Sequence, residues 1–90
     1  MSRQRSMEVI EHSEYVTIGE LVRLTGVRYS TLKFYTEEGM LPFEQAEENL
    51  TRRYRREESI QRITYIRQLR EQKMTIPEIK EILPAAQSLF

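Results

Sequence analysis

Apolar residues recur at helical spacing in four stretches of the chain, separated by glycine, proline or strongly polar breaks. Leu21, Val22 and Leu24 form the first stripe, short enough to need help at its entry. Thr17 and Glu20 have the spacing of a capping box, with Val16 and Leu21 placed as a hydrophobic staple, so a helix is predicted to begin at Ile18. Gly26 ends it, because glycine takes the left-handed conformation at little cost and lets Val27 turn inward. A second helix follows from near Arg28 or Tyr29 to about Glu38. Leu32 and either Tyr35 or Phe34 serve its core face, leaving Tyr29, Ser30, Lys33 and Thr36 for other faces. Gly39 closes it and Pro42 prevents its resumption.

The third stripe is Ile60, Ile63, Ile66 and Leu69, predicting a long helix over Glu57 to Gln72 with Arg62, Arg67 and Arg70 turned outward. Glu57 and Glu58 in its first turn, and Arg70 and Lys73 at its end, suit the helix dipole. Thr75 and Glu78 repeat the capping-box spacing, flanked by Met74 and Ile79, and predict a last helix from about Ile76 to Leu83. Pro77 falls in its first turn, where a missing N–H costs little, and Pro84 is expected to end it. Ile76, Ile79, Ile82 and Leu83 give it a face to pack on the preceding helix.

The breaks carry the other information. Residues Met1 to Glu14 are polar and weakly periodic, and read as a loosely ordered arm. Arg3 and Arg5 could enter a minor groove, although solvated charge is the commoner role of terminal arginines. Pro42 to Asn49 is acidic and turn-like, with Asn49 a suitable turn residue, and Leu50 to Tyr54 can close a small hairpin anchored by Leu50 and Tyr54. Arg52, Arg53, Arg55 and Arg56 crowd around Tyr54, as a phosphate-gripping loop would require, since guanidinium forks bind phosphate oxygens bidentately. Taken alone, the same run is a solvated loop balanced by Glu44, Glu47, Glu48, Glu57 and Glu58. The expected architecture is mainly α: four helices and a small β-hairpin wing, with an arm over 1–14, one domain over 15–83 and a tail over 84–90.

Two short helices meeting at Gly26 have helix-turn-helix geometry, in which the second helix lies in the major groove of DNA. Capped helices joined by glycine also occur in many plain helical domains, so the pair alone leaves both readings open. Composition narrows the choice modestly. Ninety residues make one small core, and a net charge of +0 announces no nucleic-acid partner globally, so charge placement must carry that argument. The absence of cysteine removes disulfides, thiolate metal sites and cysteine nucleophiles. No apolar run approaches the roughly 18 to 20 residues that a membrane-spanning helix needs, and a soluble cytoplasmic protein is expected. The only histidine, His12, lies in the arm, and no glycine-rich phosphate loop or metal-spaced cluster accompanies it, so no enzyme, catalytic residue, metal or cofactor is expected.

The stretches TIGELVRLTGV, STLKFYTEEGMLP, RRY and ITYIRQLREQKMTIPEIKEIL occur in this order between about Tyr15 and Leu83. In that order they resemble the DNA-binding domain of MerR-type transcription regulators. The resemblance implies a winged helix-turn-helix followed by a helix pair, the second helix in the major groove and the wing on flanking phosphates. By position, Ser30 and Lys33 match groove- or phosphate-contacting residues, Tyr35 a tyrosine that contacts the backbone, and Arg52 the wing arginine. Arg28, Tyr29, Thr31, Arg53 and Arg55 complete the candidate DNA-binding set.

The chain also departs from the pattern. Arg28 stands where a small polar residue is usual, and Leu50 and Thr51 replace a glycine and a tyrosine before the wing arginine. The segment between Tyr54 and Ile60 is one residue longer than usual. Family members continue into a long dimerisation helix and an effector domain that these 90 residues do not include, so a small regulator or a regulator's DNA-binding part is expected. Double-stranded DNA is the expected partner, in a bacterial, nucleoid-associated setting, with RNA polymerase and further copies of the chain as additional partners there. The alternatives are an architectural protein of excision, partition or chromosome anchoring that assembles on repeated sites, and a protein-interaction module using Tyr65, Met74 and the tail Leu89-Phe90.

Overall fold

A computed structural model describes residues 4–48 and 50–87, the last four by backbone alone. Five helices and one two-stranded sheet follow in the order α1 (Met7–Glu11), β1 (Tyr15–Val16), α2 (Ile18–Thr25), α3 (Tyr29–Glu37), β2 (Tyr54–Arg55), α4 (Arg56–Glu71) and α5 (Ile76–Gln87). The architecture is a mainly helical winged helix-turn-helix. Both expected capping boxes form. Thr17 Oγ1 accepts from Glu20 N at 3.2 Å while Glu20 accepts from Thr17 N at 2.9 Å. Thr75 and Glu78 repeat the exchange at 3.3 and 2.8 Å. Gly26 and Gly39 close α2 and α3 with φ of +73° and +75°, a region that a Cβ would strain.

The core joins all these elements: Leu21 of α2, Leu32 and Tyr35 of α3, Tyr54 of β2, Ile63 and Ile66 of α4, and Ile79 and Leu83 of α5. Within α3 the alternatives resolve by helical spacing, since Leu32, Tyr35 and Thr36 lie on one face and are buried while Phe34 is 44% exposed. Thr36 is thus inside, contrary to expectation.

Three further readings are corrected. The segment taken as a loose arm contains α1, capped by Ser6, and its Ile10 is fully buried in the core. Arg5 holds that segment down, its Nη2 and Nε meeting the two Glu20 oxygens at 2.7 and 2.8 Å and its Nη2 also reaching Tyr15 O. Arg62, expected outward on α4, is buried and donates from Nε to Met40 O at 2.6 Å, pinning the loop after α3 to α4. Helix α5 runs past Pro84 to Gln87; the ring forfeits one N–H bond but does not end the helix. Arg3, Asn49 and the tail Leu89-Phe90 lie outside the described residues.

The sheet differs from a simple hairpin. Strand β2 pairs antiparallel with β1, Tyr15 opposite Arg55 and Val16 opposite Tyr54, so its partner comes from before the helix-turn-helix. The wing loop is closed separately by a bridge between Glu44 and Arg53, whose backbone groups exchange hydrogen bonds of 2.7 and 2.8 Å. Leu50, expected as an anchor, is 48% exposed.

Because Ile10 is sealed in the core, Ile10→Ala should lower unfolding free energy by roughly 2–4 kcal/mol in urea titration, whereas a residue of a free arm would lower it hardly at all. Arg5, and then the Thr17 N–H, hold the Glu20 carboxylate below the usual carboxylate range. A lowered folded-state pKa stabilises above the unfolded value, and that stability is lost as pH falls through the folded value. Glu20→Gln should therefore be less stable than wild type near neutrality, with the gap closing as pH drops below about 4, as urea midpoints across pH would record.

Candidate nucleic-acid interface

Helix α3 begins differently from α2 and α5. Its N-cap is Arg28, which makes no side-chain capping bond, and its first turn holds no acidic residue. The Thr31 N–H donates to Arg28 O at 3.1 Å, which leaves the Tyr29 and Ser30 amides at the positive end of the helix dipole, a combination suited to an anion such as a phosphate. Tyr29, 53% exposed, and Ser30 stand at this end, with Thr31 half-buried beside them. Tyr29, Lys33 and Glu37 follow at four-residue intervals and share one helix face.

The wing is fastened beside that face at two depths. Inside, the Thr36 hydroxyl donates to Leu32 O at 2.9 Å and so is left to accept from the Tyr54 hydroxyl at 3.0 Å. Outside, Arg52 Nη1 donates to Glu37 Oε1 at 3.1 Å while its guanidinium lies 4.6 Å from the Phe43 ring centre. The Glu37 carboxylate raises Arg52's pKa above its ordinary value. The exposed face of α3 and the base of the wing are therefore continuous.

Strand alternation sorts the arginine run. Arg53 and Arg55 lie on one side, their guanidinium carbons 4.3 and 5.4 Å from the Tyr15 ring centre. Tyr54 points to the core and Arg52 towards α3. Arg55 is tied at 3.1 Å to Glu44, which also accepts from the Tyr15 hydroxyl at 2.9 Å. Arg56 turns back to donate to Ser13 O at 2.8 Å. Among the described residues, Arg28, Lys33 and Arg53 of the candidate cations have no carboxylate within ion-pair distance, whereas Arg52 and Arg55 do.

Of the candidate residues, then, Arg28, Tyr29, Ser30, Lys33 and Arg52 stand on or beside the α3–wing surface, and Arg53 and Arg55 on the Tyr15 side of the wing. Tyr35 does not stand there. It is 6% exposed, and burial raises its phenol's pKa, with Arg67 and Arg70 of α4 acting in the opposite sense. Its spacing from Leu32 places its ring inward, in the core rather than on the exposed face of α3. Sequence reasoning named Glu44 as a balancing charge but missed Tyr15, Glu37 and Phe43, which also set the wing arginines, because those partnerships join distant segments and leave no local pattern.

A glycine-linked helix pair, a second helix with an open N-terminus and an arginine-bearing wing beside it define a winged helix-turn-helix protein of the nucleic-acid-binding type. A profile described as MerR HTH family regulatory protein matches residues 16–86, and the chain belongs to that family. It is 39% identical over 64 residues to an HTH-type transcriptional activator SoxR homolog of Chromobacterium violaceum, covering 71% of this chain and 42% of that protein. It is also 39% identical over 73 residues to the nodulation protein NolA of Bradyrhizobium elkanii, covering 81% of this chain and 33% of that protein. The chain thus spans less than half the length of either relative. No solved structure matches it closely.

The uncapped start of α3 leaves stability to be gained. Arg28→Ser, which supplies a capping hydroxyl, should raise unfolding free energy by about 1 kcal/mol in urea titration.

Proposed function

We propose that this chain binds double-stranded DNA sequence-selectively, as the DNA-binding part of a MerR-type transcription regulator. The carrying observation is the continuous surface formed by the exposed face of α3 and the wing locked to it by Tyr54 and Arg52. With α3 in the major groove, its open N-terminus and Arg28 meet a backbone phosphate while Tyr29, Ser30 and Lys33 face base edges. Lys33 contributes charge more than base readout, because its ammonium lacks the fork that reads guanine bidentately. The wing offers Arg53 directly to phosphates, and Arg52 once a phosphate displaces Glu37. That exchange is cheap, since an exposed ion pair contributes only about 0–1 kcal/mol.

Two relatives named for transcription activation and for nodulation fit a bacterial regulator acting on DNA. RNA polymerase and a second copy of the chain are the further partners this reading brings, in the bacterial cytoplasm on the nucleoid. Among the described residues no helix is long and apolar enough to cross a membrane.

Selection of bound fragments from a randomised duplex library, followed by anisotropy titrations over a range of salt, tests the reading. An enriched motif that survives near-physiological salt is expected. Arg52→Ala with Arg53→Ala should weaken binding to every sequence and reduce the salt slope by about 0.9 for each phosphate that is no longer neutralised. Tyr29→Ala and Ser30→Ala should instead shift the enriched motif. Absence of binding at low salt would end the proposal, and an unchanged salt slope in the arginine variant would remove the wing from it.

A further inference from the structure

Behind the wing, between its base and the first turns of α4, lies a cleft of about 320 Å³ lined in part by Phe43, Glu44, Arg53, Ser59 and Arg62. Ser59 and Arg62, three residues apart on one face of α4, are each only 4% exposed. Arg62 spends its Nε on Met40 O. Among the described residues, no carboxylate lies within ion-pair distance of Arg62, and neither its Nη groups nor the Ser59 hydroxyl has a hydrogen-bond partner. Yet no buried side-chain nitrogen or oxygen among the described residues is sealed off without a partner, so these donors keep access to the cleft they line. A guanidinium this deep without a counter-ion is costly, and burial accordingly lowers its pKa.

The donors left over are a planar guanidinium edge and a hydroxyl one helical turn away, the set that holds an oxyanion. The cleft also restricts which oxyanion. Glu44 and Glu58 line it as well, disfavouring a dianion, and Phe43 offers an apolar wall. We propose that this cleft binds a small-molecule carboxylate with an apolar body, its carboxylate on Arg62 and Ser59 and its body against Phe43. Nothing in the DNA-binding reading requires this site. Phe43 supports Arg52, and Arg53 lines the cleft itself, so an occupant would bear directly on the wing.

The test is a titration of the full chain, free of DNA, with sodium benzoate, followed by backbone amide and arginine Nε–H resonances in two-dimensional NMR. Saturable shifts at Ser59, Phe43 and the Arg62 Nε are expected, with a dissociation constant on the order of millimolar for so few ligand atoms. Ser59→Ala should weaken binding roughly tenfold while leaving the rest of the spectrum folded, the loss of one hydrogen bond to a charged group. Arg62→Lys tests the fork and should weaken binding at least as much; should that variant unfold, Ser59→Ala decides alone. Absence of saturation at tens of times that concentration, or an unchanged affinity in Ser59→Ala, overturns the proposal. If the Arg62 Nε moves only when duplex DNA is added, the cleft is a seat for a backbone phosphate and the small-molecule reading is likewise overturned, while the proposed DNA binding stands or falls on its own titration.

Discussion

A hydroxyl of a helix and a hydroxyl of a strand meet inside this protein, and the geometry of its outer surface depends on them. Thr36 is buried because Leu32 and Tyr35 bring its face of α3 inward, and Tyr54 is buried because strand alternation turns it in between Arg53 and Arg55. Neither hydroxyl could stay dry without a partner. Thr36 already donates to Leu32 O, and by accepting from Tyr54 it satisfies the strand hydroxyl and sets the wing at one distance from α3. Arg52 and Glu37 repeat the connection at the surface, where water competes and the pair holds less firmly.

The helix N-termini differ in how they are closed: α3 and α4 both start under an arginine without a side-chain cap, but α4 carries Glu57 and Glu58 in its first turn and α3 no acidic residue. Helices α2 and α5 close their N-termini with complete capping boxes. Helix α3 leaves its N-terminus open under an arginine, giving up a cap worth about 1 kcal/mol. In a domain of this size that is a noticeable sacrifice of stability, and it falls on the helix that faces outward beside the wing.

Net charge says little about such a molecule. Its equal numbers of acidic and basic residues are not evenly mixed: Glu44 and Glu37 hold Arg55 and Arg52 in place, while Arg28, Lys33 and Arg53 have no carboxylate partner among the described residues. The acidic loop between α3 and β2 orients part of the basic run and leaves the rest uncompensated. A chain of zero net charge can therefore still present local positive potential, with less nonspecific attraction than an overall basic domain would have.

Features governed by neighbours within a few residues were legible in the chain itself. The capping boxes of α2 and α5, the glycine closures of α2 and α3, the α4 stripe and the helix-turn-helix all rest on contacts three or four residues apart, where side-chain chemistry and helical period act directly. Tertiary structure alone decided what joins distant segments. It drew Ile10 into the core and so ordered α1, gave β2 a partner in Tyr15–Val16 rather than in its own loop, and turned Arg62 inward onto the Met40 carbonyl. Those outcomes depend on which buried polar groups and apolar side chains find partners 20 to 40 residues away, as the Arg62–Met40 separation of 22 and the Tyr15–Arg55 register show. No local pattern encodes such pairings, because the free energy that selects them arises only when the whole core closes.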